Sequence, residues 1–429
     1  MASLFSDDDW MYLESSFYES VDEYIRINIL DMASPAFHED LFHEMMDEAK
    51  TTLDFCGYIV NEDDDEEIEI IVEKFIDQYF DFGIVPVRSH KTPVVLYDKS
   101  PSKINMIMNK IAYLKSVPQP AQRTPEWYTY RNELITASSL SKIFGSEATR
   151  NSLIYDKCNN RAINHQNTTS SFVNTKSPMH WGQKYEPVSI MIYQDMYGTR
   201  VNEFGCIQHP KYPYIGASPD GINVLLDSGL PGDRYGRMVE IKNIVNREMD
   251  GNPIRAYWIQ MQIQMETCDL DECDFLETQF LEYPNEEEFY SDVVSEYRGV
   301  ILYFVDRISI GNIDQMIEVN NHPHYEYMPM SIPLERDAIE RWITETRLRH
   351  HRTKSLYEIQ YWYLADFSCV LVERNREWFR AALPFIKDTW DTIIKERETG
   401  YEHRAAKKRR VKENKNNAIC LIKLDHDEA

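Results

Sequence analysis

The chain has 429 residues, of which 43% are hydrophobic and 27% charged, and its formal net charge is −25. That length and apolar share support a sizeable folded core, while the charge excludes nucleic-acid binding by bulk attraction alone. No run of eighteen apolar residues exists, the opening residues lack the basic-then-apolar pattern of a secretion signal, and the seven scattered cysteines include no CxxC pair. An intracellular, reducing setting is therefore expected, without membrane insertion or a cysteine-built zinc site.

Residues 1–90 hold 24 of the 71 acidic side chains but only 4 of the 46 Lys and Arg, so the remainder of the chain is close to neutral. Apolar and aromatic residues recur at spacings of three and four in "DDDWMYLESSFYESVDEYIRINILDMA". "NEDDDEEIEIIVEKFIDQYFDFG" opens with acids that suit the positive end of a helix and stops at Gly83. Both predict an acidic, mostly helical module over 1–90. Its acid run reads either as a solvated helix start or as a surface for a basic partner. Residues 91–120, set among prolines, read as a connector around one helix, "SKINMIMNKIAYLKSV".

A new pattern opens at Thr124, an N-cap followed by Pro125 at the first helical position. From 121 to 310, helices "PVSIMIYQDMYG" and "AYWIQMQIQMETC" interleave with strands around 201–224, at 237–243, in "CDFLETQFLEY" and in "GVILYFVDRISI". That alternation predicts an α/β fold, a central mixed sheet flanked by helices, rather than a bundle. Residues 311–402 read as a helical C-terminal part of the same domain, with two helices flanking the aromatic stretch "YEIQYWYLADFSCVLVER". Residues 403–429 read as a basic, disordered tail, suited to nuclear import, to tethering DNA, or simply to solvation.

Chemistry concentrates between 181 and 265. An Asp220-Gly221 pair, an ordinary turn signal, precedes the triplet Glu240-Ile241-Lys242 by about twenty residues. Glu240 and Lys242, two apart on a strand, share a face, and a hairpin-like excursion would bring Asp220 beside them. Carboxylates of Asp220 and Glu240, with the Ile241 carbonyl, are hard oxygen ligands for Mg²⁺. Such an ion neutralises charge developing on a phosphate and acidifies a bound water, which Lys242 can orient. Acid-x-Lys triplets are common, and Glu48-Ala-Lys50 and Glu413-Asn-Lys415 are two more. The neighbourhood adds weight: Glu186, early in a helix, for a second ion or its water; glutamines at 260, 262 and 264 in one apolar helix; and Arg131 with Ser138 around a helix end, suited to phosphate.

In this order, "WYTYRNELITAS", "WGQKYEP", "SPDG", "EIK" and "YWIQMQIQM" resemble the lambda-exonuclease or YqaJ-type viral recombinase branch of the PD-(D/E)xK nucleases, as encoded by large double-stranded DNA viruses. The resemblance implies that core, and a Mg²⁺-dependent exonuclease, with Mn²⁺ as a substitute and one or two ions, digesting one strand of duplex DNA from an end, 5′ to 3′, in viral recombination, repair or replication. It makes Asp220, Glu240, Ile241 and Glu186 the metal-binding set, Lys242 the catalytic lysine, and Gln260 or Gln262 the catalytic helix glutamine. Arg131 and Ser138 become contacts to the terminal phosphate. Implied partners are duplex DNA ends, a single-strand annealing protein and further copies of the chain, in host cytoplasm or nucleus. Two other readings stay open: an endonuclease or RNA-degrading shutoff factor on the same core, and an idle scaffold docking partners through its acidic N-terminus.

Overall fold

The computed structural model describes residues 7–55, 65–90, 100–121, 124–159, 174–175, 177–309, 316–318 and 323–406. The acid run at 61–64 and the tail from 407 onward lie outside the described residues.

Helices α1 (Asp7–Ile27), α2 (Phe37–Phe55) and α3 (Asp65–Asp81) pack together through Val21, Leu41, Met45 and Val72, and α3 carries three acids in its first turn where the helix dipole favours them. This module belongs to the same hydrophobic cluster as Trp258, Phe275 and Trp378 further along the chain. Arg88, 1% exposed, ties it down by donating to the carbonyls of Ala33 (3.2 Å) and Pro253. The oxygens it bonds are carbonyl and amide oxygens, and burial, only partly opposed by the charge of Asp250, pushes the guanidinium down to about 10.

The connector helix α4 (Pro101–Ser116) and α5 (Pro125–Asn132) both start at hydroxyl caps with Pro in the first turn, Thr124 Oγ1 accepting from Trp127 N at 3.2 Å. Then come β1 (Ile135–Thr136), the short α6 (Ala137–Leu140), α7 (Glu147–Cys158) and α8 (Pro178–Tyr197), which Gly198 closes in the left-handed conformation. Strands β2 (Arg200–Asn202), β3 (Ile207–Gln208), β4 (Ile215–Ala217), β5 (Gly221–Val224) and β6 (Met238–Asn243) lead to α9 (Arg255–Cys268) and β7 (Glu272–Glu282). Beyond them lie α10 (Glu286–Ser291), β8 (Arg298–Ser309), β9 (Met316–Glu318), β10 (His324–Tyr327), α11 (Arg336–His350), β11 (Lys354–Glu373) and α12 (Arg376–Thr399).

The main sheet runs β10-β8-β11-β7-β6-β5-β2, with β9 beside β8, and β1-β4-β3 form a second, small sheet. The fold is thus mixed α/β. In the main sheet β6 and β7 are parallel, joined by the crossover helix α9, and β5 pairs antiparallel with β6. Met238, Cys273 and Phe275 on one face pack with Trp258, Met261 and Met265 of α9, while Val239, Ile241 and Leu276 on the other pack with Tyr193 of α8. The sheet is therefore covered on both sides, as its nearly unbroken apolar runs require.

Two local expectations change. Gly221 is not at a turn: it is the first residue of β5, and a Cβ there would overlap Val201 on the neighbouring β2. Close strand approach, not a positive φ, demands the glycine. The C-terminal part is not helical throughout either. Its two expected helices are present, but the aromatic stretch between them is β11, a 20-residue strand in the middle of the sheet, paired with β7 on one side and β8 on the other. Aromatic and β-branched residues fit such a pleated, half-buried surface.

Candidate active site

The junction of β5 and β6 follows from register. Gly221 lies opposite Val239 in the antiparallel pair, so Asp220, one step before β5, comes level with Glu240. The Asp220 carboxylate Oδ2 accepts from Ile241 N at 2.8 Å. Glu240 and Lys242 point to the α9 face of the sheet, and the ammonium of Lys242 bonds the Glu240 carboxylate. The other Glu240 oxygen accepts from Gln264 Nε2 of α9 at 2.7 Å, and the same amide reaches Ser218 O at 3.2 Å. Lys242 Nζ also sits 4.6 Å from the centre of the Tyr257 ring. Tyr257 and Gln264 are seven residues apart, so one stripe of α9 covers the junction.

Glu240 is fully buried and Asp220 partly so. Burial, then Glu240, and then Glu186 against the opposing pull of Lys242, push the Asp220 carboxyl well above the usual carboxylate range. Burial opposes the charge on Lys242, but Glu240 and Asp220 hold its pKa above the ordinary value. Two carboxylates thus share one ammonium, and the negative charge of Glu186 adds to theirs at Asp220. Glu186 and Asp220 both line an open cleft of about 500 Å³. Glu186 is the ninth residue of α8, not an early one, because the helix starts at Pro178 behind the Ser177 cap and runs through Pro187.

This donor set fits a hard divalent cation. Its oxygens outnumber its cations, both Glu240 oxygens keep lone pairs beyond the bonds they accept, and the buried amide oxygen of Gln264 has no hydrogen-bond partner among the described residues. Of the glutamines in the sequence motif, Gln264 is the one brought to Glu240. Gln262 instead accepts from Asn375 N at 2.7 Å and donates to Glu373 O at 2.8 Å, bracing the turn between β11 and α12. Gln260 is half-buried one turn before Gln264.

A second, positive cluster lies alongside. Arg131 stacks on the Trp127 ring at 4.5 Å and reaches Thr136 Oγ1 at 3.5 Å, which in turn is 3.5 Å from Ser138 Oγ, an exposed hydroxyl. Lys157 of α7 donates to Arg131 O at 2.7 Å, and Arg397 of α12 donates to Asn132 O at 2.7 Å and Lys157 O at 3.2 Å. Burial, then Arg131 and Arg397, push the Lys157 ammonium down to about 8. Burial lowers Arg131 as well. Burial pushes the Cys206 thiol up, and the neighbouring charges of Arg131 and Lys157 oppose that rise. Lys157 and Arg397 were not visible as site residues in sequence, since lone cations on amphipathic helices are ordinarily solvated.

Asp220 ahead of β5, with Glu240 and Lys242 on its antiparallel neighbour, places the fold in the PD-(D/E)xK class. Within the chain, residues 126–271 match the model of the YqaJ-like viral recombinase domain. An uncharacterized protein of Acanthamoeba polyphaga mimivirus is 28% identical over 310 residues, 66% of this chain and 54% of that protein; the chain spans about half the length of this relative. Among solved structures, an alkaline exonuclease from Laribacter hongkongensis, also solved with dAMP, aligns over 65% of this chain and 95% of its own at 19% identity and a TM-score of 0.34. A phage-related exonuclease from Haemophilus somnus aligns over 61% and 96% at 13% identity and a TM-score of 0.30. Among the described residues no helix is long and apolar enough to cross a membrane.

Proposed function

We propose that the chain is a divalent-metal-dependent deoxyribonuclease that digests one strand of duplex DNA from an end. The observation that carries this reading is the buried junction of Asp220, Glu240 and Lys242 at the mouth of the cleft that Glu186 also lines. Bound there, Mg²⁺ would supply the Lewis acidity that stabilises charge on a scissile phosphate and acidifies water. Asp220, Glu240, Glu186 and the Ile241 main chain would hold it.

The chain's own groups do the remainder. The Ile241 N–H and the Gln264 amide fix the Asp220 and Glu240 carboxylates in place. Lys242 keeps a positive charge beside the phosphate and orients the attacking water, held by Glu240 and by the Tyr257 ring face. Arg131, Lys157 and the Thr136 and Ser138 hydroxyls receive the terminal 5′-phosphate, which gives the enzyme its end preference and a 5′-to-3′ polarity.

The test is digestion of 5′-labelled linear duplex beside covalently closed circular duplex and RNA, with Mg²⁺ and with EDTA. Mg²⁺-dependent loss of the linear duplex alone, from its 5′ ends, is expected. Rapid cutting of the circle would make the protein an endonuclease, RNA degradation would make it a shutoff factor, and no metal-dependent product would leave a scaffold.

A further inference from the structure

A second cluster of ligand-type side chains lies far along the sheet from the junction, on its opposite edge. His324 and Glu326 are two apart on the edge strand β10 and so point to one face, and His350 is the last residue of α11, packed over that face. His324 Nε2 is 3.0 Å and His350 Nε2 2.8 Å from the same oxygen, Glu326 Oε1. The ligand atoms of the three residues all fall within 4.8 Å of one another. The two imidazoles lie with ring centres 5.2 Å apart, and both contact Phe304 of β8, at 4.9 Å for His350. The other Glu326 oxygen faces Arg349 at 3.6 Å, leaving Oε1 to the histidines.

We propose that His324, Glu326 and His350 form a Zn²⁺ site, separate from the nuclease junction, that pins the edge strand β10 to the C-terminal end of α11. Bond lengths of 2.0–2.2 Å in a tetrahedral zinc site put neighbouring ligand atoms about 3.3 Å apart, so the contacts of 3.0 and 2.8 Å need to open by only about half an ångström or less to become coordination edges. Two imidazoles with one carboxylate select a borderline-soft transition ion over Mg²⁺, which takes oxygen ligands. Three protein ligands leave the fourth position to solvent. Among the described residues β10 is paired on one side only, and a metal between strand and helix would restrain that open edge. The proposal does not depend on the nuclease reading, since it shares no residue with it.

The full chain, stripped with EDTA and returned to millimolar Mg²⁺ to occupy oxygen-ligand sites, is titrated with Zn²⁺ against a chromophoric chelator. One Zn²⁺ per chain is expected, retained by Asp220→Asn and lost by His324→Ala and His350→Ala. X-ray absorption of the wild-type Zn²⁺ form, which needs no variant to fold, should show two imidazole nitrogens. Thermal melts should show a Zn²⁺-dependent rise in Tm that His324→Ala abolishes. No Zn²⁺ retained by folded wild type, or a stoichiometry that falls in Asp220→Asn and not in the histidine variants, would overturn the site.

Discussion

Two buried charge clusters occupy opposite faces of the same three strands, and they are built on opposite principles. On the α8 face, Asp274 of β7 accepts from Arg237 Nη1 at 3.1 Å, from Tyr193 Oη at 2.6 Å and from Arg234, and Asn223 donates to the same Tyr193 oxygen at 3.0 Å. Every charge there has its counter-charge, and Asp274 raises the pKa of both arginines despite their burial. On the α9 face, Asp220 and Glu240 share Lys242, with Glu186 adding negative charge beside Asp220, and Asp220 is driven toward its neutral form. A saturated cluster is a structural pin that gains nothing from further ligands. An under-compensated one holds free energy that a cation can release, which is the mark of a site.

That contrast can be broken by mutation. Asp220→Asn should lower the rate of end digestion by about 10²-fold or more, with thermal stability unchanged or raised, because it removes a carboxylate from a crowded site. Digestion of labelled duplex and a thermal melt of the same preparation check both halves; a large loss of stability would place Asp220 with the structural cluster. Arg237→Met should do the reverse. It leaves Asp274, 1% exposed, short of a counter-charge and should cost about 3–5 kcal/mol, read by denaturant unfolding, with the rate per folded molecule nearly unchanged. The double variant Arg237→Met with Asp274→Asn should recover much of that loss.

The positive cluster sharpens the comparison from the other sign. Lys157 has its pKa lowered to about 8, so the unfolded chain binds more protons between pH 8 and the ordinary lysine value. Stability contributed by this group is therefore lowest below pH 8 and rises with pH above it. Over the same interval the preference for 5′-phosphorylated over unphosphorylated ends should fall, as the ammonium loses its charge. Parallel pH series of melting and of end preference test this; Lys157→Met should flatten both curves. The smallest effect expected is for Arg131→Ala, a several-fold loss confined to phosphorylated ends, since Lys157 remains. Equal rates on the two kinds of end in the parent protein would remove Arg131 and Ser138 from the site.

Much of this was legible in sequence, for reasons that differ by residue. Glu240 and Lys242 share a face by strand periodicity alone, and the stretch of 13 residues from 225 to 237 between β5 and β6 is compatible with the antiparallel return that brings Asp220 level. The glutamine register was not legible, because 260, 262 and 264 are chemically alike and only the tilt of α9 over the sheet selects Gln264. Lys157 and Arg397 come from helices far apart in the chain and meet each other at the end of α5 only after folding. The identity of β11 escaped because its apolar and polar residues alternate imperfectly: bulges interrupt its register at Leu356/Glu358 and at Leu364/Asp366.

β11 also decides how the molecule can be cut. Val370 and Val372 belong to the core under α9, Trp362 to the cluster beneath α8, and Tyr361 to the one against α11, so one continuous stretch of backbone stitches three hydrophobic compartments. A fragment trimmed to the family-matched span of 126–271 would lose both β7 and β11, baring the hydrogen-bonding edge of β6 beside the junction. Residues at the far carboxy-terminal end of the fold are thus as necessary to the site's architecture as the motif that first drew attention to it.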